Sequence, residues 1–132
     1  MYIGIVTIYV NDQDRAKEFY TKKLGWKVQD DVPMGEGGGR WLSVAPHGGQ
    51  TAAVLAKDFG DWSPEKVGRQ TGIILEVEDL FDSCDEFTRR GVEFETQPSI
   101  ESFGGWATVK DSEGNILGVH SPVPVGAREM MP

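Results

Sequence analysis

One supersecondary unit is written twice in this chain. Residues 8–28 read IYVNDQDRAKEFYTKKLGWKV and residues 74–94 read ILEVEDLFDSCDEFTRRGVEF, each a short apolar run, an acidic helix start, a helix and a glycine. Val10, Asp12, Tyr20, Thr21, Lys22 and Gly25 correspond to Val77, Asp79, Phe87, Thr88, Arg89 and Gly91. The echo continues downstream, where Gly39-Arg40-Trp41-Leu42-Ser43-Val44 is matched by Gly104-Gly105-Trp106-Ala107-Thr108-Val109. Two copies of one unit, facing each other, make a cleft whose lining sets the chemistry. At 132 residues the chain has the size of one domain. The expected organisation is therefore a single domain over 1–132 with internal modules 1–60 and 70–121, a linker at about 58–70 and a tail at 122–132.

Local signals give each module the order β-α-β-β-β. Residues 3–10 are rich in β-branched and aromatic side chains and read as a strand, after which Asn11-Asp12 can cap a helix with Ala16, Phe19, Tyr20 and Leu24 near helical spacing. Lys22 and Lys23 complement the helix dipole in the last turn, and Gly25 ends it. In the second copy Asp79 opens the helix, Leu80, Cys84 and Phe87 form its stripe, and Gly91 closes it. Strands are predicted at 26–29, 40–45 and 51–56, then at 92–96, 106–109 and 116–120. The segments 46–50 and 111–115 are the corresponding turns. The tail at 122–132, with three prolines, reads as irregular.

Charge and composition exclude several classes of function. A net charge of −8 argues against nucleic acid, whose phosphates are held by concentrated Lys and Arg. No run approaches the roughly 20 apolar residues that span a bilayer, and the first residues lack a signal-peptide layout, so a cytoplasmic protein is expected. The lone cysteine, Cys84, agrees with a reducing compartment and, on a helix stripe, reads as core and not as a nucleophile. The run Gly35-Glu36-Gly37-Gly38-Gly39-Arg40 has no following Lys-Ser/Thr and places Arg40 where the dinucleotide fingerprint needs its last glycine. It reads as a loop. No Gly-x-Ser-x-Gly elbow supports a hydrolase.

With the repeat and turns in view, the chain resembles the vicinal oxygen chelate superfamily, which groups glyoxalase I, extradiol dioxygenases and the fosfomycin and bleomycin resistance proteins. The resemblance runs from Ile3 to about Ser121. It is carried by the run from Val10 through Tyr20, by Leu24-Gly25, and by Asp111-Ser112-Glu113-Gly114-Asn115. That turn is similar to the family's Asp-Pro-Asp-Gly-Asn, with Ser112 and Glu113 as departures at positions that read as tolerant. The resemblance implies an α+β fold of two βαβββ modules whose curled mixed sheets form a cup, commonly completed by a homodimer.

In metal-dependent members the resemblance implies ligands on the first and last strands of each module. Counting from the matched motifs places these four positions on Ile5, Val54, Gly72 and Gly118, none of which offers a donor atom. The expectation is thus no metal, no cofactor and no catalytic residues. The cup is instead expected to bind a small organic molecule, planar or cationic, as in the bleomycin resistance branch, through Tyr9, Trp41, Glu76, Phe103, Trp106 and His120. Trp41 and Trp106 hold equivalent repeat positions, and aromatic faces attract planar or cationic ligands. The rival expectation is a lyase, isomerase or dioxygenase with a relocated metal. His120 shares a strand face with Gly118, and Glu76 with Gly72, so the two can meet. A His beside a Glu more commonly forms a hydrogen-bonded pair. His47, in a turn, is expected at the surface.

Overall fold

The computed structural model describes residues 1–123, and these form two units. The tail read at 122–132 lies, from residue 124 onward, outside the described residues. The first unit comprises Met1–Arg69 together with Asp111–Asn115. Its elements are β1 (Ile5–Tyr9), α1 (Gln13–Glu18), a π-helical turn (Phe19–Lys23), β2 (Lys27–Pro33), β3 (Arg40–Ala45) and β4 (Ala52–Ala56), with a 3-10 turn at Pro64–Lys66. The second unit begins at β5 (Gln70–Glu76) and continues through α2 (Leu80–Arg89), β6 (Glu93–Glu101), β7 (Gly104–Lys110) and β8 (Ile116–Ser121).

The repeat is reproduced strand for strand. One sheet has the order β1-β4-β3-β2 and the other β5-β8-β7-β6. In each, the first strand pairs in parallel with the last strand of its module and the remaining pairs are antiparallel. No described helix is long and apolar enough to cross a membrane.

Both helices start as their sequences dictate. Asp12 is extended, at φ −137° and ψ 106°, and its carboxylate accepts from Arg15 N at 2.9 Å; Asp79 does the same for Asp82 N at 3.0 Å. They end differently. Four residues separate Tyr20 from Gly25, but only three separate Phe87 from Gly91. The extra residue is absorbed by the π turn, in which Leu24 N donates to Phe19 O at 3.2 Å. Gly25 and Gly91, at φ 74° and 82°, then supply the left-handed exit.

In the first unit Ile8, Val10, Ala16, Tyr20, Leu42, Val44 and Leu55 are buried. Tyr20 packs edge-on against Phe19 and tilted against Trp26, each ring pair 5.1 Å apart. In the second unit Leu80, Cys84, Ala107, Val109, Leu117 and Val119 are buried. Burial pushes the Cys84 thiol up to about 11, so its thiolate is scarce at neutral pH. β2 and β6 run furthest past their predicted limits. β2 continues to Pro33 and β6 to Glu101, because pairing with β3 and β7 sustains polar edge residues that local propensity would end. Asp31 on β2 is held there by the Arg40 fork, at 2.7 and 2.9 Å, and by Lys17 Nζ at 2.9 Å.

The Asp111–Asn115 turn corrects the expectation of tolerance at residue 113. The Glu113 side chain is 0% exposed. One of its oxygens accepts from Asn11 N and Asp12 N, both at 2.9 Å, and the carboxylate also receives the Arg15 guanidinium at 2.7 and 3.0 Å. Glu113 therefore caps the start of α1 from about a hundred residues away. Beside it, Asn115 donates to Tyr9 O at 2.8 Å and accepts from Gly68 N at 2.7 Å, while the Tyr20 hydroxyl donates to Asp111 at 2.8 Å.

Candidate functional site

Strand register decides which side chains meet. On β5, β8 and β7, Glu76 lies opposite His120 and His120 opposite Trp106. One pleat back, Ile74 lies opposite Gly118 and Gly118 opposite Thr108. Residues directly opposite share a face, so Glu76, His120 and Trp106 form one transverse row and Ile74, Gly118 and Thr108 the next.

His120 is the centre of the first row. Its Nδ1 lies 2.6 Å from Glu76 Oε1 and its Nε2 lies 2.8 Å from the Phe103 carbonyl oxygen. A carbonyl only accepts, so Nε2 carries a proton; a carboxylate also accepts, so Nδ1 carries one too. Below its raised pKa the ring held this way is an imidazolium that satisfies both acceptors. The Phe103 carbonyl, and after it the Glu76 carboxylate, raise the His120 pKa above its ordinary value, in keeping with that geometry. Gly104 makes the close approach possible. Its φ is 122°, and a Cβ there would fall against the Ser121 carbonyl and 2.8 Å from His120 Nε2.

Aromatic rings frame this pair. The Phe103 ring is stacked on the imidazole at 6.2 Å and 17°, and it meets Trp106 edge to face at 5.9 Å and 74°. Phe103 is 60% exposed. The six-membered ring of Trp106 covers Gly118, where a Cβ would stand 2.5 Å from Trp106 Cη2 and 3.3 Å from Ile74 Cγ1. A position that the resemblance assigns to a metal ligand is thus filled by an indole.

The equivalent row of the first unit is apolar. Tyr9 lies opposite Ala56, and extending the Ser43 to Val54 register by two residues brings Trp41 beside Ala56. Trp41 faces Phe59 at 6.5 Å and 32°, and Lys66 Nζ stands 5.7 Å over the Tyr9 ring. Of the six residues expected to bind a ligand, Glu76, Phe103, Trp106 and His120 converge in the second unit, while Tyr9 and Trp41 occupy the matching row of the first. The sequence does not point to Phe59, to Gly104 or to the Phe103 carbonyl. Phe59 falls in a segment without periodicity, and a main-chain acceptor carries no residue signature. His47 is exposed, as its turn position suggests.

The donor set does not fit the divalent ion implied by the resemblance. Ile5 and Val54 are aliphatic, Gly118 lies under Trp106, and Gly72 sits at φ 73° where the β5 register shifts. The described residues contain no group of three or more His, Cys, Asp or Glu side chains able to hold a metal. Glu76 and His120 form a relocated pair, but two donors fall short of the three or more that hold a divalent ion.

Comparison with known proteins agrees with this architecture. YetH of Bacillus subtilis (strain 168) is 36% identical over 115 residues, 87% of this chain and 93% of its own. The crystal structure of TnmS3, an antibiotic binding protein from Streptomyces sp. CB03234, shares 32% identity and a TM-score of 0.80 over 92% of this chain and 96% of its own. A superfamily member from Sphaerobacter thermophilus DSM 20745 shares 29% identity and a TM-score of 0.81 over 92% and 97% of the two chains. The family model described as Glyoxalase/Bleomycin resistance protein/Dioxygenase superfamily matches residues 2–119. With paired βαβββ modules and a match across nearly its whole length, the chain belongs to the glyoxalase/bleomycin resistance protein/dioxygenase superfamily.

Proposed function

We propose that this protein binds a small organic molecule, planar or cationic, without a metal and without breaking bonds in it. The observation that carries the proposal is the Trp106 indole over Gly118: an aromatic surface occupies the place of a donor atom. Exposed Phe103 beside Trp106 offers ring area, which gives affinity by apolar burial and by stacking. Similarity to TnmS3, described as an antibiotic binding protein, supports binding in place of catalysis. In this account the protein is a cytoplasmic homodimer, with exposed Ile5, Val32 and Ile74 supplying apolar contact surface. Sedimentation at micromolar concentration tests the dimer.

Titration of chelator-treated protein with a panel of planar and cationic aromatic compounds, followed by tryptophan fluorescence and melting temperature, tests the binding. Saturable quenching that weakens at least about tenfold in Phe103→Ala and Trp106→Leu supports the proposal. A panel that moves neither signal, or tight binding unaffected by both substitutions, refutes it.

A further inference from the structure

The polar groups of the aromatic cluster have unequal capacity left over. Both N–H groups of His120 are consumed, one by Glu76 Oε1 and one by the Phe103 carbonyl. Glu76 spends one oxygen on this contact. Among the described residues nothing donates to its second oxygen, and the Glu76 side chain is 62% exposed against 27% for His120. The charged pair therefore offers the outside an acceptor and no donor. That acceptor is also fixed in place: an imidazolium 2.6 Å away restrains a carboxylate that would otherwise sample several rotamers. Its row neighbour across His120 is Trp106, with Phe103 stacked on the imidazole itself.

Resting on the binding role proposed above, we infer that Glu76 Oε2 is the hydrogen-bond acceptor for a flat aromatic ligand bearing a neutral O–H or N–H donor, with His120 as its positioning residue. The aromatic faces hold the ring and the carboxylate selects its substituent. A neutral donor suits the pair better than an ammonium ion does, because carboxylate and imidazolium cancel at a distance, and a cation brought to Oε2 also meets the adjacent positive ring. No proton changes hands in the step; the donor keeps its hydrogen and shares it with Oε2.

The geometry also prescribes a pH signature. The groups facing the His120 ring are the Glu76 carboxylate from β5, the Phe103 carbonyl from the turn after β6, and Trp106 from β7. Only Glu76 and His120 titrate among them. On deprotonation the ring keeps the Nε2 proton, which the carbonyl demands, and turns a bare Nδ1 lone pair toward Glu76. The carboxylate is then released from its position, and selectivity for a donor falls.

The test uses three matched probes, 2-naphthol, 2-methoxynaphthalene and the 2-naphthylmethylammonium ion, titrated by calorimetry into wild type, Glu76→Ala and His120→Asn. Near-UV circular dichroism confirms that each variant is folded. The expected result is 2-naphthol binding at least about tenfold tighter than its methyl ether, as one hydrogen bond to a charged group warrants. That preference vanishes in Glu76→Ala, where 2-naphthol loses more affinity than its ether does. In wild type it declines as pH rises from about 5 to 8.5, across the imidazole range; in His120→Asn it is small and flat with pH. Equal binding of 2-naphthol and the ether overturns the inference and leaves the binding role standing. Tightest binding of the ammonium ion overturns the choice of a neutral donor, an unchanged pH profile in His120→Asn overturns the positioning role, and binding of no probe overturns both this inference and the function it rests on.

Discussion

Replacing Glu113 by alanine tests whether the helix α1 start is held by a residue far away in the chain. In the folded protein one Glu113 oxygen accepts from Asn11 N and Asp12 N at 2.9 Å each. These are N–H groups at a helix entrance, without intrahelical partners. Loss of a cap of this kind costs about 1 kcal/mol for each N–H left to poorly placed water, so Glu113→Ala should cost roughly 2 kcal/mol. The Arg15 contact adds little, because that guanidinium is more than half exposed and is screened by solvent. For a chain of this length roughly 2 kcal/mol lowers the melting temperature by about 6–10 °C. Glu113→Gln keeps an acceptor oxygen for both N–H groups and should lose less than half as much. The sign of the pH dependence is also fixed. Burial pushes the Glu113 carboxyl up, but the Arg15 guanidinium and the backbone N–H groups outweigh it and hold its pKa below the ordinary value. Its contribution is present above the unfolded-state glutamate pKa and is lost as pH falls through the lowered one, so wild type and Glu113→Ala should converge in acid. Urea denaturation of the three proteins across pH measures all of this. An alanine variant within about 0.5 kcal/mol of wild type at neutral pH, or a glutamine variant as damaged as alanine, would refute the capping role.

Other consequences concern the second unit. Gly118→Ala places a Cβ 2.5 Å from Trp106, so the usual small gain from replacing a strand glycine becomes a loss of about 1–3 kcal/mol, read by urea denaturation with a shifted indole emission. Gly104→Ala strains a φ of 122° and crowds His120 Nε2, so the His120 pKa, followed by NMR, should fall toward that of a free imidazole. Because the His120 pKa is raised in the folded state, its stabilisation is fully present below the unfolded imidazole pKa and is lost as pH rises through the raised value. Urea midpoints for wild type and His120→Asn should therefore converge at alkaline pH.

Features that depend on a few neighbouring residues were legible in the sequence. Asp12 and Asp79 as caps, Gly25 and Gly91 as exits, and the doubled module all follow from spacing. The meeting of Glu76 with His120 was also within reach, since period-two alternation fixes faces and a parallel first-to-last strand pairing supplies the register. Side chains whose partners lie far along the chain were not legible. Glu113 resembles an ordinary turn residue until Asn11 and Asp12 are placed beside it, and the Trp106 indole reaches Gly118 only through the β7 to β8 register. Lys66, from the segment between the modules, stands 5.7 Å over the Tyr9 ring, a contact no local pattern announces. A flexible cation on a loop leaves no periodic trace.

The two modules share a backbone plan but differ at one row, and that row determines what it would take to build a metal site here. In the first unit it reads Tyr9, Ala56, Trp41; in the second, Glu76, His120, Trp106. Supplying a donor at Gly118 would not suffice, because the Trp106 indole already fills the space a side chain there must enter. Gly118→Glu should therefore cost more than the roughly 1–3 kcal/mol of a single overpacked methyl, since it drives a carboxylate against an apolar ring. It should bind zinc no more tightly than wild type. Gly118→Glu with Trp106→Ala removes the obstruction and should recover most of the lost stability. Any zinc affinity it gains should be abolished by His120→Gln or Glu76→Ala, since those are the neighbouring side chains able to complete a coordination set. Competition titration with a zinc-responsive dye, run beside urea denaturation, separates the two effects. Tight zinc binding by the single Gly118→Glu variant with Trp106 in place would show that the indole yields readily, and that the aromatic surface assigned to the ligand is not a fixed part of the fold.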